Sequence, residues 1–169
     1  DAGNWWLTKR NLSASIYEKE QAILSLTEEI RQESIDQLGD MLRNIRAEAL
    51  EYLALTLLER LGYYNIKVSK RSSDGDVYFT ADWRQGLSDV RVCIQVVSDG
   101  SEDMKRKTVT ALRDTLHHYS AAEGLIIHLG DIESAAVEES RKDDVEPITL
   151  IDRSTFVELL ISHAIGVKS

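Results

Sequence analysis

Apolar residues recur at helical spacing through the first third of the chain and at strand spacing after it. Ile16, Ile23, Leu26 and Ile30 stand three, four or seven apart. The phase then slips by five, and Ile35, Leu38, Leu42, Ile45, Ala49 and Tyr52 continue in steps of three and four. Ser34-Ile35-Asp36-Gln37 has the form of a capping box at that slip. The pattern predicts one or two helices before about residue 32 and a long helix from about 34 to 61, with Gly62 as its terminator. Residues 1–45 thus read as a helical arm. Its apolar stripe needs burial, either against a second copy or against its own domain.

Beyond Gly62 the period changes. Residues 65–69, 77–82 and 90–97 are β-rich runs, and the last two are joined by a hairpin signal at 84–88. Residues 103–119 predict a helix with Met104, Val109, Leu112 and Leu116 on one face. The short apolar run 125–129 fits a buried parallel strand. A helix is expected over 132–141, a strand over 148–151 just after Pro147, and a closing helix over 154–165. The order predicts an α/β fold: a mixed sheet flanked by helices, forming one domain over residues 46–169.

A chain of 169 residues can bury a core of this kind. It has no stretch of 18 apolar residues, so no membrane contact is expected within this segment, and a cytoplasmic location is. The first residues have no basic region followed by an apolar run, so no signal peptide is expected there. The absence of an initiator Met suggests a piece of a longer protein. The single Cys93 excludes an internal disulfide and a Cys-rich zinc site, and its apolar strand predicts a buried thiol. A net charge of −9 argues against a protein that coats nucleic acid non-specifically. The charge is uneven, however: residues 1–59 carry −5, residues 60–120 carry +2, and residues 121–169 carry −6.

The +2 segment also holds the residues with chemical potential. Asp74-Gly75-Asp76 precedes one predicted strand, and Gln95-x-Val97 ends the next. Leu50-Glu51 lies on the helix before them, in a pattern that runs to Leu61-Gly62-Tyr63. Gly124 to Gly130, Ser134-Ala135-Ala136 and Ile148 to Asp152 follow in order. Together these segments resemble the Mrr-type restriction endonuclease family of the PD-(D/E)xK superfamily, over roughly residues 46–165. The resemblance implies a restriction-endonuclease-like fold and metal-dependent hydrolysis of DNA phosphodiesters. It places Val97 where the family carries its motif lysine.

The physical logic of such a site is simple. Asp76 would hold Mg²⁺ through oxygen, with Glu51 supporting the metal shell and Gln95 offering a neutral carbonyl. The metal would bind the phosphate and stabilise the charge that develops on it. A lysine at 97 would orient the attacking water and meet negative charge in the transition state; valine does neither. Lys105, at the start of the next helix, is the candidate substitute. Lys70, Arg71, Lys105, Arg106 and Lys107 are the candidate phosphate contacts. Each residue also has a plainer role: Asp-Gly-Asp is a common turn, and Gln95 is equally at home as a structural amide.

Three readings therefore stay open. The first is a catalytically impaired DNA-binding or regulatory module. The second is an active Mg²⁺-dependent endonuclease with a relocated lysine. The third is a homodimerising interaction domain without a nucleic-acid role.

Overall fold

A computed structural model of the chain describes residues 5–166, with side chains from residue 14. Residues 1–37 and 38–169 form separate compact units. In the first, helix α1 begins; it spans Trp5–Leu42. The predicted break near residue 34 is absent. Ser34 Oγ donates to the carbonyl of Ile30 at 2.8 Å, one turn back inside the helix, instead of capping a new one. The break falls at residues 43–46, and α2 follows over Ala47–Arg60. Because the helix restarts there, the expected stripe does not carry through: Tyr52 is 69% exposed, while Leu50, Ala54, Leu57 and Leu58 are buried. Gly62 follows α2 with φ +95°, a conformation that suits a glycine terminator.

Five strands make one sheet in the order β1-β2-β3-β4-β5: Tyr64–Arg71, Val77–Gln85, Ser88–Val96, Glu123–Ile127 and Ile148–Ile151. The first three pair antiparallel. Gln85 pairs with Ser88 across a two-residue turn, as the hairpin signal predicts. β3, β4 and β5 pair parallel. Helix α3, Arg106–Leu116, is extended by a short 3₁₀ turn over His117–Tyr119 and links β3 to β4. Helix α4, Ser134–Ser140, links β4 to β5, and α5, Arg153–Ser162, closes the chain. Asp152 accepts from the backbone N–H of Thr155 at 2.8 Å and so caps α5.

Side-chain alternation divides the sheet into two faces. Cys93 and Ile126 pack with Val109, Leu112 and Leu116 of α3 and Ala136 of α4, while Tyr78 and Val97 lie against the same cluster. Phe79, Val92, Ile94, Val96 and Ile127 alternate to the opposite face, where the buried residues of α2 and α5 remain to cover them. Cys93 is fully buried, and burial pushes its thiol up to about 11, as befits a core residue rather than a nucleophile.

One carboxylate ties α3 to α4. Glu139 is 4% exposed and bonds Arg106 at 2.8 Å, Arg113 at 2.6 Å and Lys142 at 2.8 Å. Arg113 also donates to the carbonyls of Glu139 and Glu146. Hydrogen bonding from Lys142, then Arg106 and Arg113, holds the Glu139 carboxyl at about 2, against the opposing effect of burial. A carboxyl depressed in the folded state stabilises the fold above its unfolded value, and that contribution is lost as pH falls toward the folded value. Stability measured by urea titration should therefore drop between about pH 4.5 and pH 2, and Glu139→Gln should flatten that part of the profile while lowering stability at pH 7.

Candidate active-site cleft

The turn before β2 is built around Asp76. The Ser72 N–H donates to the Asp76 carbonyl at 2.9 Å, and the Asp76 N–H donates to Ser72 Oγ at 3.1 Å. Gly75 has φ +91°, and a Cβ there would also lie 2.9 Å from Ser98 Oγ. Glycine thus serves both the backbone conformation and the approach of Ser98. Ser98 Oγ donates to the Asp74 carbonyl at 3.0 Å, which fastens the turn to the end of β3.

The Asp76 carboxylate is gripped from two sides. Gln95 Nε2 donates to Oδ2 at 2.9 Å, and the Ser98 N–H donates to Oδ1 at 3.0 Å. Gln95 is 4% exposed, and its Oε1 receives no hydrogen bond. Asp76 and Val97 line one cleft of about 410 Å³, together with Asp74, Asp99, Glu102 and Asp103. Asp76, Gln95 and Val97 are thus brought together at one end of β3. Among the described residues, none that lines this cleft is Lys or Arg.

Glu51 is not among the residues that line this cleft. Its carboxylate makes a bidentate pair with Arg71, at 2.7 and 2.8 Å. Arg71 pairs with Val77 in the ladder, so it belongs to the face opposite Gln95. Lys105 is exposed at the N-cap of α3 and does not line the cleft. Arg106 is committed to Glu139, and Lys107 borders a shallow groove on the outer side of α3. Lys70 lies over the Tyr78 ring, 5.5 Å from its centroid, on the same face as Gln95.

The strand pattern does not single out Ser98 or His128. His128 follows β4, is 2% exposed and lines the same cleft. Its Nε2 lies 3.0 Å from the Glu102 carbonyl, which can only accept, so Nε2 carries the proton. Nδ1 has no partner. Burial lowers the imidazole's pKa below its ordinary value, opposed by the Glu102 carbonyl and the nearby Asp76, Asp103 and Asp99. The signal for His128 exists in the sequence only as a polar residue in an apolar run; its place beside Val97 depends on strand register.

Residues 42–160 match the Mrr catalytic-domain family, described as restriction endonuclease. The structure is similar to that of the DNA modification-dependent restriction endonuclease AspBHI, with a TM-score of 0.52 and 19% sequence identity, covering 80% of this chain and 35% of that one. The MspJI restriction endonuclease, in complex with a 27-mer oligonucleotide, gives a TM-score of 0.48 and 14% identity over 75% of this chain and 30% of that one. The chain therefore spans about a third of the length of these structures, and the AspBHI likeness is one of fold. No curated protein sequence matches.

Loss of the Asp76 charge should loosen this end of the sheet. Asp76→Asn weakens two charge-assisted hydrogen bonds and leaves the buried Gln95 amide poorly matched. A loss of about 1–3 kcal/mol in unfolding free energy is expected at pH 7, read from the urea midpoint at unchanged m-value.

Proposed function

The chain belongs to the Mrr-type restriction endonuclease family over residues 42–160, and on that premise we propose that it is a DNA-binding or regulatory module with impaired phosphodiester hydrolysis. The observation that carries this reading is the composition of the cleft. The Asp76–Gln95 pair is hydrogen-bonded, Val97 is the residue that the sequence resemblance sets against the family's lysine, and among the described residues no Lys or Arg lines the space.

The donors suit a hard divalent ion. Asp76 keeps unused lone pairs, and Gln95 Oε1 is a buried carbonyl oxygen without a donor. Asp76 and Gln95 would hold Mg²⁺, which would neutralise a bound phosphodiester and stabilise charge developing on it. The chain's own residues do the positioning. Gln95 and Ser98 fix the Asp76 carboxylate, and the 72–76 turn holds its backbone. Val97 offers no hydrogen bond to an attacking water and no charge to the transition state. Loss of one such group commonly costs about 10²–10³ in rate.

The cleft carboxylates also bear on DNA binding. Asp74, Asp76, Asp99, Glu102 and Asp103 would repel a phosphate backbone unless divalent ions intervene. Lys70, on the Gln95 face, is the basic candidate best placed to meet a phosphate beside that cleft. The structure offers less support to an active enzyme using Lys105, because Lys105 does not line the cleft.

A supercoiled-plasmid nicking assay in Mg²⁺ and Mn²⁺ tests the reading. Little or no cleavage is expected from the native sequence, with an increase of about tenfold or more in Val97→Lys that Asp76→Ala abolishes. Lys105→Ala should change nothing. Robust native cleavage that is lost in Lys105→Ala would establish the relocated-lysine enzyme instead.

A homodimer through the arm is a second element of the proposal. Ile16, Ile23, Leu26 and Ile30 are 51–64% exposed on α1, at the three-, four- and seven-residue spacing of a coiled-coil seam. Sedimentation should show a dimer for the full chain and a monomer for the double variant Ile23→Lys, Ile30→Lys. A native monomer at micromolar concentration would remove this element.

A further inference from the structure

We infer that His128 supplies an imidazole nitrogen to the cation site beside Asp76 and Gln95, so that the cleft takes a Mn²⁺-class ion in preference to Mg²⁺. This rests on the proposed cation site and deepens it.

The geometry begins with register. Val77 pairs with Val96, so Asp76 stands one step on, opposite Val97. Val96 pairs with Ile127, and the Val97 N–H donates to the Ile127 carbonyl at 3.0 Å. Asp76, Val97 and His128 therefore form a row across three neighbouring chain segments, and all three line the cleft. Two strand steps of about 4.8 Å put the outer two roughly 10 Å apart along the row. Between them stands the short side chain of Val97.

The His128 ring is prepared as a ligand. Nε2–H is tied to the Glu102 carbonyl at 3.0 Å, which leaves the lone pair on Nδ1. A ligating histidine commonly anchors its second nitrogen in this way, on a backbone carbonyl or a carboxylate. The surrounding loop is built for that anchor. A Cβ on Gly130 would lie 2.6 Å from His128 Nε2 and 2.7 Å from the carbonyls of Glu102 and Gly100, so only glycine leaves the arrangement intact. The Met104 N–H donates to the Asp131 carbonyl at 2.8 Å, and the Glu133 N–H donates to the Met104 carbonyl at 3.1 Å, locking the 98–104 segment against the end of β4.

Two buried atoms without partners, His128 Nδ1 and Gln95 Oε1, belong to side chains on the same sheet face as the cleft. Asp99 and Asp103 add negative charge to its wall. Among the described residues no three His, Cys, Asp or Glu side chains converge as a metal cage. A mixed set of one carboxylate, one amide oxygen and one imidazole needs no such cage and leaves positions for water or phosphate. Mg²⁺ demands near-ideal octahedral oxygen geometry and dehydrates reluctantly. Mn²⁺ also suits oxygen donors but, as a first-row transition ion, takes a nitrogen ligand beside them more readily than Mg²⁺ does, though less strongly than the later metals of the series.

The test uses the full chain with Mn²⁺ or Mg²⁺ alone, by titration calorimetry and electron spin echo modulation of bound Mn²⁺. Mn²⁺ should bind about tenfold or more tightly than Mg²⁺, with modulation from a directly bound ¹⁴N. Labelling the native chain with [¹⁵N]histidine should convert that signal without any substitution. His128→Leu should abolish the nitrogen signal and weaken Mn²⁺ by roughly 10–100-fold, while Mg²⁺ changes little. Mn²⁺ bound through Asp76 without a nitrogen signal would overturn the inference and leave the cation site standing. No binding of either ion, or binding unaffected by Asp76→Ala, would overturn both.

Discussion

β3 is bonded on both edges and covered on both faces, and the organisation of the domain follows from that confinement. It pairs antiparallel with β2 and parallel with β4, so it is the seam between the two halves of the mixed sheet. Its last five residues, Val92–Val96, are all buried. A slip of one residue would exchange Cys93 and Gln95 for Ile94 and Val96. An amide would then enter the apolar face toward α2 and α5, and Asp76 would lose its main side-chain partner. Core packing and site geometry thus depend on a single register.

Helices on both faces leave no room for functional groups along the middle of the strand. Within the covered stretch of β3, polar chemistry sits at the C-terminal end, where the chain leaves the sheet through Ser98. The turn before β2 and the segment after β4 come to the same end because of how those strands pair. Asp76, Val97 and His128 share a cleft for this reason, with Gln95 bonded to Asp76 behind it, although they span more than fifty residues of chain.

Most of the domain is legible in the alternation of its apolar residues. The strand at 148–151 and the hairpin at 84–88 fall where their residues predict. α3 and α4 start later than their periodicity suggests, because Met104 and Ile132 form a bridge rather than helical turns. The N-terminal break lies about ten residues beyond its capping signal for a physical reason. Ser34 can bond its own helix as well as cap a new one, and a capping pattern does not say which. The pairing of Glu51 with Arg71, and the neighbourhood of His128, are not legible because both depend on which strands lie side by side. A single chain read alone records spacing along strands, not adjacency between them.

The ion cluster around Glu139 has a consequence for how this surface would respond to ionic strength. A basic side chain contributes to polyelectrolyte binding by displacing condensed counterions, and it does so only when its charge is free to approach the polymer. Arg71 is neutralised one-to-one by Glu51, whereas the single charge of Glu139 is shared by Arg106, Arg113 and Lys142 and offsets Arg106 only in part. Of the five basic residues clustered near the cleft in sequence, only Lys70, Lys105 and Lys107 have no ion-pair partner among the described residues. The logarithm of any DNA affinity should then fall against the logarithm of salt concentration with a slope of about −3 to −4 rather than about −5, at about 0.9 per phosphate met. The domain would hold on to a nucleic acid more weakly than its count of Lys and Arg suggests, and would let go of it less abruptly as salt rises.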